Sequence, residues 1–87
     1  MVVEYIRYVI PADRYAAFIQ AYALASEQLD DSEYCLEYEL TQCEENPESF
    51  IVRIEWTSSN EHLRGFRKSP KFTTFLGHVR PFFADIE

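Results

Sequence analysis

The sequence predicts an α+β domain in which helices cover one face of an antiparallel sheet, and three observations lead there. Two runs of alternating character, 34–43 and 50–57, flank the turn "EENPES" and read as a hairpin. Before them, the β-branched and aromatic run "VVEYIRYVI" at 2–10 is followed by apolar residues at helical spacing. A second helical pattern begins at about residue 59.

The first strand has two faces, Val3/Tyr5/Arg7/Val9 and Val2/Glu4/Ile6/Tyr8/Ile10, and both are apolar enough to be covered. We assign the first face to the helices. Pro11 opens a helix where its missing N–H costs nothing. Asp13 in the first turn suits the helix dipole. Tyr15, Phe18, Ile19, Tyr22, Ser26 and Leu29 form one stripe, and "DDS" ends the helix after about Asp30.

In the hairpin, Tyr34, Leu36, Tyr38 and Leu40 oppose Cys35, Glu37, Glu39 and Thr41. Phe50, Val52, Ile54 and Trp56 likewise oppose Ile51, Arg53, Glu55 and Thr57. A short helix at about 59–68 follows, with Leu63 and Phe66 inward. Ser69-Pro70 starts the next, where Phe72, Phe75, Leu76, Val79, Phe82 and Phe83 keep i, i+3, i+4 spacing. Pro81 clashes with the carbonyl of Gly77, which predicts a kink or break. The remaining "ADIE" is too short for a full closing strand, so either that strand is stunted or the natural chain continues past Glu87. The order is β-α-β-β-α with a split second helix, the ferredoxin-like βαββαβ plan, in a single domain over 1–87.

Composition bounds the function. A chain of 87 residues buries only about 60–65% of its unfolded surface, so association with a second copy is a common remedy. Fifteen acids against eight bases, net charge -7, argue against nucleic acid and anionic membranes. No apolar run approaches the roughly 18 residues of a spanning helix, and "MVVEYIRYVI" lacks the build of a signal peptide; a cytoplasmic protein is expected. Cys35 and Cys43, roughly 26 Å apart along one strand, read as free thiols. No Cys/His cluster points to zinc, and Asp30-Asp31 and Glu44-Glu45 read as solvated loops.

The sheet face away from the helices carries Glu37, Glu39, Arg53 and Glu55 around Ile51, and by our assignment Glu4, Ile6 and Tyr8. That mix is too apolar for open water and too charged for a monomer core without pairing. A homodimer packed through this face, Arg53 matched to Glu, is the expectation.

With this order in hand, Trp56 between Glu55 and Thr57, then Ser58, Leu63, Phe66, "SPKF" at 69–72, Phe75-Leu76, Val79 and Pro81 resemble the antibiotic biosynthesis monooxygenase family. The resemblance covers nearly the whole chain, from "EYIRY" to "RPFFADIE". It implies a dimeric α/β barrel, with a cavity between sheet and helices in each subunit. Some members oxygenate phenols, anthrones or quinols with O₂ and no metal or flavin; others degrade haem or isomerise small molecules. The sequence is also similar to versions of the domain placed ahead of a truncated haemoglobin. Many relatives carry His where this chain has Phe66 and Lys71. The haem-degrading branch needs an axial His, a strand Asn and a Trp; Leu76, Arg7 and Phe66 stand there instead, which argues against haem degradation.

Each site residue has a bland role beside a functional one. Trp56, with Phe72, either packs the core or walls the cavity against an aromatic substrate. Arg7, once under the helices, needs a partner: a protein Glu or Tyr, or a substrate phenolate or carboxylate whose charge it holds. Tyr5 and Tyr38 either tie their hydroxyls to backbone or offer them to the cavity. His62 and His78 are ordinary half-buried histidines, or one of them is the base that takes a phenolic proton. The resulting expectation is a cofactor-free monooxygenase acting on a small aromatic or quinol-like molecule. The alternative is a non-catalytic dimerisation or ligand-binding module of the same fold. An open hollow of about 300 Å³ or more lined by Arg7 and a His favours the enzyme.

Overall fold

Strand β3 (Ser49–Trp56) alternates without a fault: Phe50, Val52, Ile54 and Trp56 are buried, while Ile51, Arg53 and Glu55 take the other face. A strand so divided belongs in the middle of a sheet covered on one side, and there it lies. The structure, a computed structural model, describes residues 1–87 apart from the side chain of Leu63, so the inward placement expected of Leu63 lies outside the described residues. The chain runs β1 (Val2–Val9), α1 (Tyr15–Asp30), β2 (Cys35–Gln42), β3, a wide π turn at Glu61–Phe66, α2 (Pro70–Val79) and a 3₁₀ turn at Arg80–Asp85. The sheet order is β1-β3-β2 with both pairings antiparallel. The last residues form a single bridge, Ile86 to Tyr8, extended by Glu87 N–H donating to the Arg7 carbonyl at 2.8 Å.

The register of β1 corrects our assignment of its faces. Tyr8 lies opposite Phe50, Ile6 opposite Val52 and Glu4 opposite Ile54, so these three sit under the helices. Val3, Tyr5 and Arg7 pair with Glu55, Arg53 and Ile51 on the outer face, where Tyr5 is 64% exposed. The physical reason is that β1 is apolar on both sides, so its own alternation has no preferred phase. Pairing with β3, whose phase is unambiguous, decides it.

A second correction falls in β2. The register shifts between Cys35 and Glu37, so one extra residue bulges. Cys35 turns toward the core, and Leu36, expected with Tyr38 and Leu40, is 57% exposed. Burial pushes the Cys35 thiol up to about 11, only partly offset by the Glu37 backbone, which leaves it an unreactive thiol. Both cysteines are free.

Helix α1 begins after a 3₁₀ turn at Ala12–Arg14 and buries Phe18, Tyr22, Ala25 and Leu29. Ile19, expected in this stripe, is 46% exposed and lines a hollow shared with Tyr38 and Leu40 of β2 instead. Phe18 is the hub of the core, its ring within 4.8 Å of Tyr8, 5.0 Å of Phe50 and 5.2 Å of Phe82, centroid to centroid. The break expected at Pro81 occurs: α2 stops at Val79 and the tighter turn follows. Arg14 fastens that turn, bonding Asp85 at 2.7 Å and lying 4.5 Å over the Phe82 ring. Among the described residues, no helix is long and apolar enough to cross a membrane.

Candidate functional site

Between the β1 side of the sheet and α2 lies a hollow of about 200 Å³. Its floor is Glu4, Ile6 and Tyr8 from β1 with Ile54 and Trp56 from β3. His62 and Phe66 of the π turn, with Phe72, Phe75 and Val79 of α2, form the roof. Arg67, Phe83 and Ile86 also line it, with exposed side chains. The hollow falls short of the roughly 300 Å³ that favours an enzyme, and His62 but not Arg7 lines it, yet it is larger than cavities of about 150 Å³ that take benzene. It suits one aromatic ring.

Glu4 is the only charge on the helix-facing side of β1. Its Oε1 accepts a hydrogen bond from Trp56 Nε1 at 3.1 Å and stands 3.7 Å from His62 Nε2. The His62 ring stacks on Trp56 with centroids 4.4 Å apart. Local chemistry sets His62 there. Ser58 accepts the Glu61 N–H at 3.1 Å, the sequence S-x-x-E being a capping box, and so starts the helix. The Arg67 N–H then reaches back five residues to the His62 carbonyl at 3.1 Å, widening the turn that carries the imidazole. Burial lowers the His62 pKa from its ordinary value, Glu4 opposes this and Arg67 adds to it. Its Nδ1 is buried with no hydrogen-bond partner among the described residues.

Deeper in, the hydroxyls of Tyr8 and Tyr22 bond each other at 2.6 Å. Burial raises both phenols; the bond from Tyr22 partly offsets this for Tyr8, while the neighbouring Tyr8 pushes Tyr22 further. Both remain protonated. Two hydroxyls sharing one bond leave one hydrogen uncommitted.

Of the residues singled out from the sequence, Trp56, His62 and Phe72 come together here. His78 is not part of the lining. Arg7 and Tyr5 lie on the opposite side of the sheet, a correction that follows from the register: Arg7 is 58% exposed and 3.7 Å from Glu87. Tyr38 lines a second hollow of about 190 Å³ between α1 and β2, with its hydroxyl donating to Asp30 at 2.8 Å. Glu4, Tyr8 and Tyr22 were missed as site residues. The available signal was Glu4 itself, a lone charge in the otherwise apolar set Val2/Ile6/Tyr8/Ile10. No group of three metal-ligating side chains occurs among the described residues.

The outer sheet face does hold Glu37, Glu39, Arg53 and Glu55. Rows run Val3–Glu55–Glu37 and Tyr5–Arg53–Glu39 across the three strands. Arg53 bonds Glu55 at 3.2 Å. The Glu55 carboxylate opposite raises the Glu37 pKa, whereas Glu55 is held down by its bond to Glu37 and then by Arg53.

The family model for antibiotic biosynthesis monooxygenases matches residues 1–77. Among solved structures, a Bordetella bronchiseptica protein assigned to that class superposes with a TM-score of 0.82 at 23% identity, over 97% of this chain and 86% of the other. A conserved protein of Methanosarcina mazei gives 0.79 at 20% identity, over 98% and 83%. A Nitrosomonas europaea protein, assigned like the first, gives 0.77 at 16%, over 94% and 85%. At such identities the likeness speaks for the fold. No curated protein matches the sequence.

Proposed function

Because the chain belongs to the antibiotic biosynthesis monooxygenase family, we propose that its cavity oxidises a small aromatic or quinol-type molecule with O₂ and without metal or flavin. The observation that carries this reading is an apolar, ring-sized hollow holding one acid–base cluster, Glu4–Trp56–His62. A ring wedged between Trp56 and the Phe side chains of α2 is shielded from water. His62, neutral near pH 7 because burial lowers its pKa, takes the proton of an activated C–H or O–H, and Glu4 stabilises the imidazolium that forms. The carbanion then reduces O₂, a C–O bond forms, and loss of water leaves a carbonyl: R₂CH₂ + O₂ → R₂C=O + H₂O. Oxygen consumption with a panel of anthrones and hydroquinones tests it. Turnover is expected in the wild type and in His78→Gln, and a fall of about a hundredfold or more in His62→Gln. No uptake with any compound, or equal uptake in His62→Gln, defeats the reading.

We also propose that the outer sheet face pairs with a second copy. Three exposed apolar side chains, Tyr5, Val9 and Leu36, share the sheet with the Arg53–Glu55 pair and Glu37. A two-fold axis through such a face lets Arg53 of each copy meet a carboxylate of the other.

A second reading, a binding or dimerisation module standing beside another domain such as a truncated haemoglobin, draws on the modest cavity volume of about 200 Å³. It also draws on Phe66 and Lys71 where family histidines stand. Saturable ligand binding without oxygen uptake distinguishes it.

A further inference from the structure

Most polar atoms around the hollow are already committed. Tyr8 and Tyr22 bond each other at 2.6 Å, and Trp56 Nε1 donates to Glu4 Oε1 at 3.1 Å. That same oxygen is the one near His62, at 3.7 Å. Arg67 lies over the Phe72 ring at 5.6 Å and makes no bond to Glu4 among the described residues. His62 Nδ1 also has no partner among the described residues, but it is buried. The partly solvated group left without one is Glu4 Oε2, on a side chain 35% exposed that lines the hollow.

A carboxylate oxygen is an acceptor only. When an apolar ring enters and displaces water, that oxygen loses its solvation, a cost recovered only if the ring brings a donor. We infer that Glu4 selects the ligand: a ring bearing a hydroxyl donor, its O–H directed at Oε2 and its face against Trp56, Phe72 and Phe75. The spare hydrogen of the Tyr8–Tyr22 pair supplies the complementary donor for a second oxygen on the ring. The geometry therefore favours dioxygenated arenes with at least one free hydroxyl over fully etherified or hydrocarbon rings. This rests on the aromatic-ligand reading of the cavity, but not on any oxidation taking place.

Trp56 is the only Trp in the chain, and its indole is bonded to Glu4, so its emission reports the site directly. The test is anaerobic titration of that emission with benzene-1,4-diol and with 1,4-dimethoxybenzene, the same ring without donors. The wild type is expected to bind the diol about tenfold or more tightly than the diether, the range of a charge-assisted hydrogen bond. Glu4→Gln, whose amide can face either way, is expected to bring the two within about threefold. Glu4→Asp keeps an acceptor and is expected to keep the preference. Equal affinities in the wild type, an unchanged ratio in Glu4→Gln, or no saturable change with either compound overturns the inference. If Glu4→Gln does not fold, the wild-type ratio and the Glu4→Asp ratio decide. A diol that binds through Glu4 yet consumes no oxygen in air removes the oxidation reading and leaves this one standing.

Discussion

Trp56 and Glu4 are bonded across the floor of the cavity, indole nitrogen to carboxylate oxygen, at 3.1 Å. Glu4 pairs with Ile54 and Val2 with Trp56, so the two are diagonal neighbours on adjacent strands, reaching each other along the covered face. The bond ties a buried ring to the one charge beneath the helices.

That tie is measurable. In a double-mutant cycle of Trp56→Phe and Glu4→Gln, followed by urea unfolding, a coupling energy of about 1 kcal/mol is expected, the charged bond being discounted because Glu4 is partly solvated. Trp56→Phe alone is expected to cost more, through lost packing against His62 and Phe66. A coupling of zero shows that the bond contributes nothing in solution.

His62 gives the protein a pH dependence with a definite sign. Its folded pKa is lowered, first by burial and further by Arg67, with Glu4 opposing. In the unfolded chain it titrates near the ordinary value of about 6.5. Below that value the unfolded state binds the proton that the folded state refuses, so stability is full above it and declines as the pH falls toward the folded pKa. Urea midpoints should therefore drop in this window for the wild type and less so for His62→Gln. Proton NMR titration checks the premise: His62 should titrate below about 6.5. A midpoint at or above that value contradicts it.

The two glycines should respond oppositely to alanine. A Cβ on Gly65 lies 2.7 Å from Tyr34 Cδ2, so Gly65→Ala must displace that ring. A loss of about 1–3 kcal/mol is expected. Gly77 sits in α2 with nothing within 4 Å of a Cβ. Gly77→Ala should stabilise by about 0.5–1 kcal/mol through helix propensity. Chemical denaturation of both variants decides.

The outer face carries Arg53 among Glu37, Glu39 and Glu55. Arg53→Glu makes that cluster wholly acidic, and two copies face to face then repel. Light scattering at micromolar concentration should give a dimer mass for the wild type and a monomer mass for the variant. A monomeric wild type ends the pairing proposal.

The sequence showed most of the architecture because most elements have one unambiguous pattern. Phe50, Val52, Ile54 and Trp56 leave no choice of face, and Ser69-Pro70 marks the start of α2 without competition. The site was harder to see because it depends on β1, where Tyr5 and Tyr8 are equally apolar by type and only pairing sorts them. One wrong phase moved Arg7 and Tyr5 into the cavity and Glu4 and Tyr8 out of it. The bulge at Leu36 was invisible for a similar reason: an extra residue in a ladder exists only relative to its partner strand. His62 depends on a π turn, which has no sequence period of its own.

The central position of β3 has a last consequence. Strands β1 and β2 never meet; apart from the Ile86 bridge to Tyr8, every ladder bond of the sheet has β3 on one side of it. Amides of β3 should be the slowest in the chain to exchange with deuterium, since freeing them means dismantling both neighbours at once. A fault in this one segment thus leaves two orphan ribbons, which makes the sheet an all-or-none unit.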